Sequence, residues 1–438
     1  MARQQKKKTK KPAASETERL IKARLGYTCS MPACGNRGRL LHHIDGNPAN
    51  EDPANLLLFC AECNARVADG GIDSDALSMI KQALEMQSAS PEALAEMKDD
   101  VIARIEALVG RQDEPKMLDE ADRGTRESDP KIEAAASQVL AFEKAGIALP
   151  AEILRPLAAS LYASDALEPA LAVHLMIDPE AATPIDAYNR AVLFDESGRK
   201  DESEKAYRSA VQADPSFAQA WANLGVLLRE EERPEDAEQA LRKAIEADPN
   251  YAPAWSSLGI LLSRTEREDQ AEEAFRKAVE VDPGFAPAWS NLGCILKDAG
   301  QVDEAEKAYR RAVEAAPNDA DLRNGLAYFL LEIGKPAEAE AEVREALKLD
   351  PECAYAHATL GLLLLERGEL EEGRKGYERA IELHPNDKPL RQKYHYEYGR
   401  ALARKGEAWH ARKELTKALK VKVDYIPEEE IEAELAKV

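Results

Sequence analysis

Aromatic residues make up only 5% of this 438-residue chain, and it has six cysteines and seven histidines. No apolar run is long enough and free enough of charge to cross a bilayer, since the apolar stretches are helix faces broken by charged residues. The first dozen residues are polar and basic with no apolar segment behind them, so no secretory leader is read there. A reducing, cytoplasmic setting is therefore expected, where closely spaced cysteines bind metal rather than one another. There is no Gly-rich phosphate loop and no serine elbow, which sets aside P-loop nucleotide chemistry and the α/β-hydrolase type of catalysis. Charge is plentiful at 32% of residues with a net of −22. It is unevenly spread: residues 1–70 carry 12 Lys+Arg against 7 Asp+Glu, and the remainder is strongly acidic.

The cysteines that are present cluster. Cys29/Cys34 and Cys60/Cys63 form C-x4-C and C-x2-C pairs. Two short cysteine loops supply two corners each of a tetrahedron, so a structural Zn2+ site is expected on these four thiolates. Cys294 and Cys353 lie far away and read as small core residues. Between the pairs, Arg39–Ile44 reads as a short strand carrying His42 and His43, and Gly46-Asn47-Pro48 forces a loop. Asn55 precedes a second strand, Leu56-Leu57-Leu58-Phe59, and Asn64 stands at the start of a helix.

At these residues, from Arg24 to about Leu84, the chain resembles the zinc-knuckle branch of the HNH nucleases. The resemblance implies a ββα-metal fold in which His43 is the general base and Asn55 braces its loop. His42 and Asn64 would then ligate a catalytic divalent ion (Mg2+, Mn2+ or Ni2+). Imidazole titrates where a water must be activated, and a cation absorbs charge at the leaving oxygen. The chain departs from the family at Asn64, usually His. Relatives with Asn there pair it with an Asp on the first strand, where this chain has His42. Lys6, Lys7, Lys8, Lys10 and Lys11 form a basic arm suited to sequence-independent phosphate contacts, with DNA the expected partner. A solubilising tail has the same composition.

Two amphipathic helices are predicted between Asp73 and Gly110, with Ser90 as an N-cap between them. The charged, turn-rich stretch RQDEPKMLDEADRGTRESDP follows and reads as a linker. Beyond it the sequence repeats every 34 residues. Trp221, Trp255 and Trp289 keep this spacing, as do Leu-Gly pairs at 224, 258, 292 and 360. So do alanines at 237, 271, 305 and 339, and prolines at 215, 249, 283, 317, 351 and 385. Small residues let two helices of a unit approach closely, and proline stops the second helix. The pattern resembles the tetratricopeptide repeat (TPR) family, which implies a right-handed superhelix that binds peptides or partner helices.

The expected organisation is a basic tail over 1–14, the zinc module over 15–88 and a helical, acidic linker over 89–147. The repeat array then covers 148–425, with a degenerate unit at 148–181, six clear units over 184–387 and a seventh at 392–425. A polar capping helix covers 426–438, since an open solenoid end needs one. The fold class is mostly α. Asn189, Asn223 and Asn291 occupy the sixth position of their units, with Ser257 between them. They resemble the asparagine ladder of O-GlcNAc transferase TPR domains, which implies peptide binding. An amide both donates and accepts, so it reads main chain whatever the sequence. The seventh unit is locally basic, a docking face for an acidic group or a solvated end. Two readings of function stand: a metal-dependent DNA endonuclease whose TPR scaffold binds a protein, and a non-catalytic adaptor whose zinc module only binds. A TPR chaperone with a vestigial N-terminus is a third. No membrane partner is expected.

Overall fold

The computed structural model describes residues 40–43, 56–59, 72, 74–86, 89–110, 116–118, 129–423 and 425–438. Its two strands, β1 (Leu40–His43) and β2 (Leu56–Phe59), pair antiparallel with His42 opposite Leu57 and His43 opposite Leu56. Among the described residues everything else with regular structure is helical, and two compact units are distinguished, Met1–Ala220 and Trp221–Val438.

In the first unit, α1 (Ser74–Met86) and α2 (Pro91–Val109) match the predicted amphipathic pair. Ser90 caps α2 through its hydroxyl, which accepts from the Ala93 amide at 3.3 Å. The stretch expected to be linker contains a helix that periodicity did not reveal, α3 (Pro130–Lys144). It packs against α1 and α2 and buries Ile132, Val139 and Phe142. Its Gln138, wholly buried, donates from Nε2 to the Met79 carbonyl at 3.0 Å. Four further helices complete this unit: α4 (Ala151–Ala163), α5 (Leu167–Leu175), α6 (Pro184–Glu196) and α7 (Lys200–Ala213).

From Pro184 the first helix of each repeat recurs with the predicted 34-residue phase: α6, α8 (Ala218–Glu230), α10 (Ala252–Arg264), α12 (Ala286–Asp298), α14 (Ala320–Glu332) and α16 (Ala354–Glu366). The second helices keep the same step: α7, α9 (Pro234–Ala247), α11 (Glu268–Val281), α13 (Val302–Ala315), α15 (Pro336–Leu349) and α17 (Leu370–Leu383). The aspartates that precede the boundary prolines explain how second helices stop. Asp214, Asp248, Asp282 and Asp350 are pushed to extended backbone by the following ring. Their carboxylates then accept from the amides of Ser216, Asn250, Gly284 and Glu352.

The Leu-Gly glycines sit where the two helices of a repeat touch. A Cβ on Gly259 would lie 2.7 Å from the Phe275 ring, and one on Gly293 would lie 2.9 Å from Tyr309. Adjacent repeats are also tied through second-helix carboxylates. Glu306 receives Arg310 of its own helix at 2.9 Å and Lys335 of the next repeat at 2.8 Å. Glu238 and Glu340 are doubly engaged in the same way, by Arg242 with Arg267 and by Arg344 with Arg367.

The array continues through α18 (Lys388–Arg404) and α19 (Ala408–Lys420) to α20 (Glu428–Ala436). Buried Gln392 positions this end: its Nε2 donates to the Val423 carbonyl and its Oε1 accepts from the Ile426 amide, each at 2.9 Å. Ile431 of α20 is then buried with Tyr396, Leu415 and Ala418. α20 thus lays Ile431 against α18 and α19.

Candidate functional site

The sixth residue of each first helix offers the positions singled out by the sequence: Asn189, Asn223, Ser257 and Asn291, then Gly325 and Thr359. The structure places Asn189 in a built polar contact. It lies one turn after Asp186 on α6, whose start is fixed by a reciprocal cap. The Thr183 hydroxyl accepts from the Asp186 amide at 3.2 Å, while Asp186 Oδ2 accepts from the Thr183 amide at 2.9 Å.

Asn189 is 4% exposed. Its Nδ2 donates to the Lys116 carbonyl and its Oδ1 accepts from the Leu118 amide, both at 2.7 Å. One side-chain amide thus closes on a carbonyl and an N–H two residues apart, the spacing that extended main chain presents. Met117, between them, projects outward with 42% of its surface exposed, while Leu118 is buried. The clasped groups are backbone atoms, so their identity carries no sequence information. Asn223, Ser257 and Asn291 are half-buried on later first helices.

Beneath the clasp lies a charge cluster that the sequence did not announce. Asp186 is completely buried, and Arg155 of α4 meets it with two parallel bonds, Nε to Oδ1 at 2.9 Å and Nη2 to Oδ2 at 2.8 Å. Burial acts to raise the Asp186 pKa, but the Arg155 and Thr183 hydrogen bonds outweigh it and hold the carboxyl below its ordinary value. His174 of α5 is 1% exposed, 3.9 Å from Asp186 Oδ1, and neither ring nitrogen has a hydrogen-bond partner. Burial pushes its pKa down to about 4, so the ring is neutral at pH 7.

Of the other expected site residues, Cys29, Cys34, Asn55, Cys60, Cys63, Asn64 and the lysines at 6, 7, 8, 10 and 11 lie outside the described residues. His42 and His43 are placed on β1. Among the described residues no group of three His, Cys, Asp or Glu is arranged to hold a metal ion. No helix among them is long and apolar enough to cross a membrane. Cys353 is buried as expected, whereas Cys294 is exposed, correcting its reading as core. It occupies the ninth residue of its first helix, one turn beyond the sixth position, and accepts from the Tyr309 hydroxyl at 3.1 Å. Several cations of the basic seventh unit are engaged locally: Arg400 with Glu397, Lys417 with Glu414, and Arg391 with the Pro385 carbonyl.

The family described as the cilia and flagella-associated protein 70 C-terminal domain, a TPR family, matches residues 75–389. No curated protein matches the chain. Among solved structures, the Cut9–Hcn1 hetero-tetramer of the APC/C is 16% identical with a TM-score of 0.48, over 85% of this chain and 74% of that one. YrrB, described as a TPR protein with an unusual peptide-binding site, is 23% identical with a TM-score of 0.35, over 46% of this chain and 100% of that one. PilF of Pseudomonas aeruginosa is 21% identical with a TM-score of 0.41, over 50% of this chain and 97% of that one.

Proposed function

The chain belongs to the family of the cilia and flagella-associated protein 70 C-terminal domain, and from that premise we propose that its TPR scaffold binds a partner protein by extended main chain. The observation that carries this reading is the Asn189 amide closed on the Lys116 carbonyl and the Leu118 amide. It supports a mode of recognition in which helix-borne amides supply affinity and an adjacent buried pocket selects an apolar side chain. In the chain itself residues 116–118 occupy the clasp. A partner segment would displace them there.

A peptide spanning residues 113–121 tests this. It is expected to bind at least tenfold more tightly to the Leu118→Gly chain, whose own segment is weakened, than to the unaltered chain. Adding Asn189→Ala should abolish the gain in a fluorescence-anisotropy titration. Equal binding to both chains, or a gain that survives Asn189→Ala, would refute the reading.

A second activity is proposed for the N-terminal region: a metal-dependent, HNH-type endonuclease acting on DNA. The antiparallel pairing of β1, which carries His42 and His43, with β2, which follows Asn55, supports it. In this reading Cys29, Cys34, Cys60 and Cys63 hold structural Zn2+. His42 and Asn64 would hold the catalytic ion (Mg2+, Mn2+ or Ni2+), which would supply charge stabilisation at the leaving oxygen, and His43 would take the proton from water. The alternative is a module that binds nucleic acid or protein without cutting. Nicking of supercoiled plasmid should require added divalent metal and fall at least a hundredfold in His43→Ala. No nicking with any metal, by protein that retains its zinc, would leave the adaptor reading alone.

A further inference from the structure

The solvent-exposed face of α19 departs from the second helices before it. In α7, α9, α11, α13 and α15 a glutamate pairs there with an arginine four residues on: Glu204 with Arg208, Glu238 with Arg242, Glu272 with Arg276, Glu306 with Arg310 and Glu340 with Arg344. α17 keeps the pair in reverse order, Arg374 with Glu378. The positive-φ residue of each inter-helix turn aligns the units: Gly334 before Glu340, Gly368 before Arg374, Gly406 before Arg412. By that alignment α19 carries Arg412 and Thr416 at the paired positions. The arginine of α17 is kept, and its carboxylate is replaced by a hydroxyl.

Arg412 has cationic neighbours. Lys413 and Lys420 are exposed, and none of the three forms an ion pair among the described residues. Glu414 of this helix and its N-cap Glu407 are engaged elsewhere. Glu407 meets His410 at 3.2 Å, and Glu414 meets His395 at 2.9 Å and Lys417 at 2.7 Å.

One turn before Lys413 stands Trp409, 69% exposed, with the Lys413 ammonium 5.4 Å from its ring centre. The chain's other tryptophans, at 221, 255 and 289, are half-buried, and Trp255 and Trp289 donate to the Pro249 and Pro283 carbonyls at 2.9 Å. Packing explains those three and leaves Trp409 without a role in the fold. Helical spacing puts Trp409, Arg412, Lys413, Thr416 and Lys420 on one face, a stripe about 16 Å long at 1.5 Å per residue. Ala411, Leu415 and Ala418 are buried on the opposite face, and the acidic α20 packs on that side.

A ligand for the stripe must bring a flat ring for the indole and anions repeated along its length for three cations. Unpaired nucleotides carry both, a base and a phosphate in every residue. A duplex hides its base faces, an acidic peptide brings anions without rings, and a lipid surface needs more apolar area than one indole offers. We propose that this face of α19 binds single-stranded nucleic acid, with Trp409 stacked on a base and Arg412, Lys413 and Lys420 on successive phosphates. The site stands apart from the first-helix asparagines and does not rest on the nuclease reading of the N-terminal region.

The test uses the full chain with Lys6, Lys7, Lys8, Lys10 and Lys11 changed to serine, so that the basic arm takes no part. Short oligothymidylate and oligouridylate should both quench the tryptophan fluorescence saturably, since stacking is indifferent to the sugar. Trp409→Leu should remove the quench and weaken binding of labelled oligothymidylate about five- to a hundredfold, the usual effect of losing one stacked base. Both should leave the far-ultraviolet spectrum as it was. The log–log dependence of affinity on salt should have a slope of about −2 for three phosphate contacts on a single strand. Arg412→Ser, Lys413→Ser and Lys420→Ser together should flatten it and weaken the quench titration at least tenfold. A duplex of the same length and an oligoglutamate should quench at least tenfold more weakly than either single strand. Absence of quenching by both strands, equal quenching by duplex or oligoglutamate, or a titration that survives the triple substitution would each overturn the proposal.

Discussion

Asp186→Ala should cost the first unit about 3–5 kcal/mol, the usual consequence of stranding a buried charge by removing its partner. Arg155 makes two bonds to that carboxylate and is itself nearly buried, so its guanidinium would lose its bidentate partner where little water reaches it. Urea unfolding followed by hydrogen exchange in α4 and α6 measures the loss. Arg155→Met with Asp186→Leu should recover much of it, since an apolar pair of similar volume avoids the desolvation cost altogether. The cluster also sets an acid limit. His174 has a folded-state pKa of about 4, below its unfolded value of 6.5, so the unfolded chain takes up a proton that the folded chain refuses. Stability is complete above pH 6.5 and falls as pH drops from there toward 4. Asp186, held below its ordinary pKa, adds loss in the same direction at lower pH, once its carboxyl begins to protonate. His174→Gln should flatten the upper part of this profile, between pH 6.5 and 4, and leave the lower part in place.

Gly376→Val should destabilise the second unit by about 3 kcal/mol, at the upper end of what overpacking costs. A Cβ at Gly376 would lie 2.9 Å from both the Gly361 Cα and the His357 carbonyl, so it strikes the backbone of α16 rather than a movable side chain. Gly361 and Gly373 meet across the same crossing, each a Cβ's reach from the other's carbonyl. Gly325→Ala, by contrast, should stabilise α14 by about 0.5–1 kcal/mol, because it gains helix propensity and meets no neighbour. Paired denaturation curves check both, and the opposite signs are what distinguish a glycine required by packing from one that packing does not require. Should Gly325→Ala also destabilise, the space above that residue is not free.

The repeats were legible because each unit solves the same burial problem with the same residues: alanine and glycine at the helix contact, aspartate and proline at the stop. That logic placed both helices of each of the six clear units in phase. It could not find α3, whose alanine-rich face follows a long charged stretch and whose contacts with α1 reach back more than forty residues. Nor could it pair Arg155 with Asp186, or Asn189 with Lys116 and Leu118, because nothing periodic links residues 31 or 71 positions apart. The small size and apolar character of Cys294 suggested core. Its place three residues after Asn291 on the same helix explains its exposure, since residues three apart share a face.

The clasp on residues 116–118 also fixes a concentration scale. A segment covalently tied to its own site competes at an effective concentration of order millimolar, however dilute the protein. A free peptide of equal intrinsic strength would need to reach that level to fill half the sites. One present at micromolar concentration would have to bind about a thousandfold better, or about 4 kcal/mol. Asn189 would then respond only to partners that are very strong or held close by a second attachment. Weak, abundant peptides with a leucine in the right place would pass unbound.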